Sequence, residues 1–440
     1  MTVTKVMNES FLHYIWQMQY FRKEELCTKE GETVQVLHPG TLNTHAGPDF
    51  HASRIRIGGM EWSGSVEIHV RSSEWIDHHH DEDQAYENVI LHVVWRMDRV
   101  ILRRDQTVVP TVELWDRIDD RLTKKYRQLV TSSFQIPCRG ALRDVPEMYK
   151  ISALDRALVE RLERKSDEIL GYYEATGRSW EETSYWVLSR NFGFKVNNEP
   201  FLQLAKSVPL RYLRRHSSSI LQVESMLFGA AGFLEGPSNV DYFRSLQTEY
   251  KVLASKYRLP SLMKRSQWKF LRMRPANFPT LRIAQLAAVL RSQNQLFSGM
   301  FESTDLGLLK KFFSCEPSPY WRTHYHFGSH TSSEIHVLGL DSIHTLVINA
   351  VIPLWAAYSL LHHDDTLLER AIEVLKSIPR EENSIIRSCQ NAGINLSNSH
   401  DTQAAIELFN NFCAKKRCLN CSIGTFLIRP VRETANSYPG

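Results

Sequence analysis

The sequence predicts an α+β protein, with an N-terminal mixed sheet flanked by helices followed by a large, mainly α-helical region. Three observations carry this. Up to Leu114 the apolar residues alternate or form short continuous runs, as strands require. From Pro146 onward the period becomes helical, with Ile151, Leu154, Leu158, Leu162, Ile169 and Leu170 on one apolar face. At 440 residues the chain exceeds what one core usually serves, so three regions are expected, over residues 1–135, 146–310 and 311–440, with a linker at 132–146.

In chain order, residues 11–20 space their aromatics as a helix does, and residues 34–37 form a short strand candidate. Gly47-Pro48-Asp49 is a turn that feeds a β-rich run over 50–57, and Gly58-Gly59 reverses the chain into the next strand. In Val66-Glu67-Ile68-His69-Val70 the period of two sends Glu67 and His69 to one face and the apolar residues to the other. A hairpin of this length sets Asp49 beside Glu67. Residues 75–88 are polar and weakly helical. Residues 89–95 are a continuous apolar run, typical of a strand buried on both faces and interrupted by His92. Residues 99–114 read as a further hairpin with its turn near Asp105-Gln106, and 116–129 as a charged helix. Helices then follow over 180–191, 200–216, 219–233, 283–291, 344–362, 364–375, 384–390 and 401–412.

Composition narrows the class. With 42% hydrophobic and 23% charged residues the chain reads as an ordinary globular protein. No run approaching the roughly 20 uncharged apolar residues of a membrane span is expected, and the start lacks a signal-peptide layout, so a cytoplasmic location is expected. Seven cysteines, an odd number in a long chain, argue against a disulfide framework. A net charge of +4 is too small to indicate nucleic acid by itself, since such binding rests on local clusters. Histidine is uneven: nine of eighteen precede residue 95, which gathers metal-competent groups in the segment already marked by its pattern.

The order α, β, β, β, α, β, with Pro48-Asp49 opening the second strand and Glu67-x-His69 on the third, resembles the core of the PD-(D/E)XK nuclease superfamily over roughly the first quarter of the chain. The resemblance implies divalent-metal-dependent hydrolysis of phosphodiester bonds in DNA or RNA. Mg²⁺ or Mn²⁺ would sit on Asp49, Glu67 and the Ile68 carbonyl, with His69 ligating or orienting. Glu24 or Glu25 would supply the further carboxylate seen in many relatives, and His79, His80 or His92 a second imidazole. The departure is His69, which stands where the superfamily carries lysine: a fixed cation is replaced by a group that is mostly neutral at pH 7 and prefers to bind metal. The stretches LHPGTLNTHAGPDF, GSVEIH and NVILHVVW are also similar to an uncharacterised bacterial protein family of unknown function, in a similarity that extends to the C-terminal cysteines.

Outside this segment, Pro275 and Pro279 preclude a regular helix over 272–282, so Arg272, Arg274, Asn277, Phe278 and Arg282 are expected on a structured loop. Arginines beside a helix N-terminus suit phosphate, and Phe278 suits base stacking. The competing reading pairs these arginines with carboxylates. His324, His326, His330 and His336 form a looser set without a recognised ligand spacing. Cys413-x4-Cys418-x2-Cys421 lets three thiolates converge on one ion, with Cys389 or His400 as fourth ligand, for zinc or an iron–sulfur cluster. Core packing of the same cysteines is the alternative. A second functional class stays open: a catalytically inactive scaffold that keeps the nuclease-like sheet and binds nucleic acid or protein. A cupin-like barrel is set aside because too few strands follow Leu114 to close one.

Overall fold

The computed structural model describes residues 7–260, 263–331 and 334–430. The chain divides into two compact units that are not consecutive stretches. The first takes the residues up to Asp155, then Arg387–Asn395 and the chain from Leu408 onward; the second takes Arg156–Ile386 and Leu396–Glu407. The described residues 408–430 therefore belong with the N-terminal sheet and not with a separate C-terminal region.

In the first unit, helix α1 (Glu9–Met18) starts at Asn8, whose side chain accepts from the Phe11 N–H at 2.9 Å. Its face of Phe11, Leu12, Ile15 and Trp16 is fully buried. The sheet comprises β1 (Val34–His38), β2 (Thr41–Leu42), β3 (Phe50–Ile57), β4 (Met60–Arg71), β5 (Val89–Arg96) and β6 (Thr111–Glu113). Its order is β1-β3-β4-β5-β6, with β2 pairing β3. The β3–β4 hairpin turns at Gly58 and Gly59, both at positive φ (56° and 87°), which glycine adopts without steric cost. β4 and β5 run parallel, so the chain crosses over through α2 (Glu74–Asp77) and a single turn at Gln84–Tyr86. Gly64 permits their close approach, since a Cβ there would lie 2.7 Å from the Asn88 carbonyl.

One face of this sheet packs Phe50, Ile55, Val66, Ile68, Leu91 and Val93 against α1 and against α3 (Asp120–Val130), where Phe11 stacks on Tyr126 at 4.4 Å. The other face is also covered: Trp75, Tyr86, Val89, Ile101 and Val109 form a smaller cluster beneath α2. Residues 65 to 69 are consequently all buried, and Glu67 and His69 lie in an interior polar layer instead of on an open face.

Two expectations are corrected here. Residues 99–114 are not a two-stranded hairpin: a single antiparallel bridge, Leu102 to Val108, closes a tight turn, and β6 then pairs parallel to β5. The stretch 132–146 is not an exposed linker, because Ile136, Leu142 and Val145 are buried and residues 139–144 form a short helix.

Helix α4 (Glu147–Ala175) begins in the first unit and continues in the second, which is built almost wholly of helices. Among the described residues no strand lies between 150 and 310. Pro209 breaks the run expected over 200–216 into Asn198–Ser207 and Leu210–Arg215. The helices Asp241–Tyr257, Leu296–Glu302 and Leu306–Phe313 lie outside the stretches read as helical. At the centre, fully buried Glu224 accepts from the Tyr242 hydroxyl and from Trp321 Nε1 at 3.1 Å. The near-continuous helix Leu340–His362 is long and apolar enough to cross a bilayer by length and composition, unlike the expectation from sequence, and 72% of its most apolar window is buried within the fold.

Candidate metal and active site

Between Phe50 and Ser53 the β3–β4 register slips, with Ala52 in the left-handed region (φ 54°). Such a bulge re-aims the start of a strand, and Asp49 turns toward β4. Its N–H donates to Glu67 Oε2 at 3.0 Å, and its own carboxylate accepts from the Ile68 N–H at 2.9 Å. Glu67 Oε1 then faces His80 Nε2 at 3.4 Å and His69 Nε2 at 3.6 Å. From α1, His13 Nε2 reaches Asp49 Oδ2 at 3.1 Å.

Around these carboxylates the ligand atoms of His69, His78 and His80 lie within 4.8 Å of one another. His69 is held from behind by His92, whose Nε2 is 2.9 Å from His69 Nδ1. With His69 Nδ1–H as donor, its Nε2 keeps a lone pair pointed at Glu67 and His80. His80 is fixed by stacking on Tyr86 at 3.8 Å. The layer grades from interior to solvent: Glu67 is 4% exposed and His69 1%, whereas Asp49 and His80 are half-buried and His78 is exposed.

Electrostatics follow this burial. Desolvation, reinforced by neighbouring imidazoles, pushes His69 down to about 2, and desolvation pushes His92 down to about 3, so both rings are neutral. Burial and then the Asp49 charge raise Glu67, against the pull of the His80 hydrogen bond. Glu9 on α1 is raised by burial and by Asp49 and Glu74. Burial opposes protonation of His13, but the hydrogen bond and charge of Asp49 raise it overall. Neutral imidazoles beside carboxylates short of positive charge form a donor set that suits a divalent cation.

Asp49, Glu67 and His69 are thus brought together. Of the imidazoles considered beside them, His80 joins the cluster, His92 stands behind it, and His79 is exposed at positive φ. Glu24 and Glu25 are exposed, and Glu24 lines a cavity of about 1050 Å³ beside Trp95, Arg96 and Trp115, which none of Asp49, Glu67 and His69 lines. The further carboxylates near the cluster are Glu9 and Glu74. His13, Glu9 and His78 were not singled out from sequence. The i, i+4 spacing of Glu9 and His13, which shares one helix face, was the available signal.

The arginine loop belongs to the second unit. Arg272 and Arg274 are exposed, but Arg282 is turned inward at 4% exposure. It hydrogen-bonds Asn277 Oδ1, Gln285 Oε1 and Ser342 Oγ at 2.6, 2.9 and 2.9 Å and lies over the Phe194 ring. Phe278 packs edge-on against Phe270. Thus Arg282 and Asn277 are spent on holding the loop, and neither carboxylate pairing nor full display describes it. His324 bonds the Tyr320 carbonyl and His326 meets Arg265. No disulfide joins the cysteines. Cys389, Cys413, Cys418 and Cys421 all lie in the first unit, and among the described residues no three of their sulfurs come within 4.8 Å of one another. His400, in the second unit, contacts Asp401 at 3.1 Å.

A family model, that of a protein of unknown function, DUF2851, matches residues 9–384. The chain belongs to the DUF2851 family. The DUF2851 match spans the whole acidic and imidazole cluster and the arginine loop, and ends before Cys389, so the similarity expected to reach the C-terminal cysteines stops short of them. No curated protein and no solved structure matches the chain.

Proposed function

We propose that the chain is a divalent-metal-dependent nuclease that hydrolyses phosphodiester bonds in DNA or RNA. The observation that carries this is the pair of bonds that ties Asp49, just before β3, to Glu67 and the Ile68 N–H within β4, with His69, His78 and His80 around them. The sequential order of α1, β1, β3, β4, α2 and β5 supports the reading, being the order on which the nuclease resemblance rests.

The side chains fit a cation. Asp49, Glu67 and the Ile68 carbonyl would hold it together with His69 and His80, and imidazoles in the set favour Mn²⁺ or Zn²⁺ over Mg²⁺. Such an ion, when bound, acidifies water and neutralises charge developing at phosphorus. His92 fixes the His69 ring. His13, with Nε2 3.1 Å from Asp49 Oδ2, would serve as general acid or base. Arg272 and Arg274 offer exposed cations for a phosphate backbone.

One observation favours a non-catalytic nucleic-acid- or protein-binding scaffold: both carboxylates already accept from backbone N–H groups, and Glu67 is deeply buried. Cleavage assays on single- and double-stranded DNA and RNA with Mn²⁺, Zn²⁺, Mg²⁺ or chelator separate the two. Binding without cleavage under every condition supports the scaffold.

A further inference from the structure

Two cavities of the first unit, about 290 and 470 Å³, share Phe134, Arg139 and Asn391 and so form one groove. Gln135 and Ser388 line its smaller part and Arg143 its larger part. Pockets for small ligands run from about 300 to 1,000 Å³, so the groove admits a ligand the size of a nucleotide.

Its walls are braced. On one side Ser132 Oγ accepts from the Phe134 N–H at 3.3 Å, and Lys416 Nζ donates to the Val130 and Ser132 carbonyls at 2.6 and 2.9 Å. Ile136 is buried two residues on, and residues 139–144 turn as a short helix that carries both arginines. On the other side Ser388 and Asn391 stand three residues apart on helix Ser384–Asn391 and share one face. The sides meet at Gly393, where an added Cβ would lie 4.0 Å from Arg143 Cγ. Phe134, 55% exposed, is therefore presented to solvent on a fixed backbone.

The chemistry of the lining is one-sided. Arg139 and Arg143 are exposed, and the Arg139 guanidinium lies over the Phe134 ring, 5.8 Å from its centre. No carboxylate lines either cavity. Two guanidiniums without an acid favour an anion, and their planar forks match phosphate in two-point hydrogen bonds. An exposed phenyl ring accepts a flat heterocycle by stacking. The Gln135 and Asn391 amides each offer a donor and an acceptor, as the edge of a base requires. An acidic peptide would use the cations and leave the ring without a stacking partner.

We infer that this groove binds one nucleotide, free or within a single strand, with its phosphate on Arg139 and Arg143 and its base on Phe134. The groove stands on different residues from Asp49 and Glu67, and binding there needs neither metal nor cleavage, so it does not depend on the nuclease reading.

The full chain should be titrated in EDTA with adenosine 5′-monophosphate and, separately, with a short fluorescein-labelled single-stranded oligonucleotide. Saturable binding of the mononucleotide identifies a free ligand, and binding of the strand alone identifies a nucleotide within a chain; either supports the assignment. Phe134→Ala and Arg143→Ala should each weaken that binding by about tenfold with unchanged melting temperature, while Phe134→Trp retains it. No binding of either probe, wild-type affinity in both alanine variants, or competition by inorganic phosphate as strong as by the nucleotide overturns it. Should a variant fail to fold, photo-cross-linking of an azido-labelled nucleotide or strand to the wild type decides. A cross-link within residues 132–143 or 388–393 supports the groove, and cross-links confined to other residues overturn it.

Discussion

Asp49 and Glu67 are locked to each other's strands: the Glu67 carboxylate takes the Asp49 N–H at 3.0 Å, and the Asp49 carboxylate takes the N–H of Ile68, the residue after Glu67, at 2.9 Å. Two carboxylates held this close in a buried layer repel each other unless a cation lies between them. Without metal, Glu67→Gln keeps an acceptor for the Asp49 N–H and removes one charge. The variant should therefore melt higher than wild type in chelator, by about 2 °C. Differential scanning calorimetry with and without Mn²⁺ checks this, and the order should reverse when the ion is present.

His92 touches no solvent; its Nε2 meets His69 Nδ1 at 2.9 Å and its ring packs against Trp75. His92→Phe conserves volume and removes the nitrogen that orients His69, so affinity for Mn²⁺ or Zn²⁺ should fall by roughly 10- to 100-fold with little change in fold. Isothermal titration calorimetry reads this directly. Unchanged affinity would mean that His69 is not a ligand.

Glu224 gives a pH signature in the second unit. Burial raises its carboxyl to about 7, against hydrogen bonds from Tyr242, Ser318 and Trp321. The folded state holds this proton more tightly than the unfolded chain does. The stabilisation is therefore complete below the ordinary carboxyl range and is lost as pH rises toward 7. Between pH 5 and 8 the wild type should lose stability relative to Glu224→Gln, by up to about 3 kcal/mol. Parallel pH profiles of thermal denaturation test it, and identical slopes would contradict it.

The arginine loop divides by burial. Arg282→Ala removes a buried side chain bonded to three neighbours and should cost about 2–4 kcal/mol of stability, leaving nucleic-acid affinity of the folded protein unchanged. Arg272→Ala and Arg274→Ala should leave stability alone, weaken binding for all sequences alike and each lower the salt slope by about one. Fluorescence anisotropy across salt concentrations distinguishes the two classes.

The strand pattern was legible because period two is local: β3 spans the residues read for it, and Glu67 and His69 do share a face. That this face is covered was not, because the covering residues, Trp75 and Tyr86, come from a crossover with little helical signal. His13 and Glu9 join the cluster only through the packing of α1, a tertiary fact. The return of residues 408–430 to the sheet unit rests on contacts such as Ile428 with the α3 core, which no periodicity announces. Arg282 looked displayed because prolines flank it, but the first turn of its helix points it at Asn277 and Phe194.

The most direct test is cleavage of a labelled nucleic acid by the purified full chain in Mn²⁺, set beside Asp49→Asn and Glu67→Gln, which keep the site's shape while removing one charge each. Chelator-sensitive cleavage by the wild type and a loss of at least about 100-fold in both folded variants are expected. Cleavage that persists in Asp49→Asn and Glu67→Gln, or a wild type that cuts no DNA or RNA with Mn²⁺, Zn²⁺ or Mg²⁺, would contradict it.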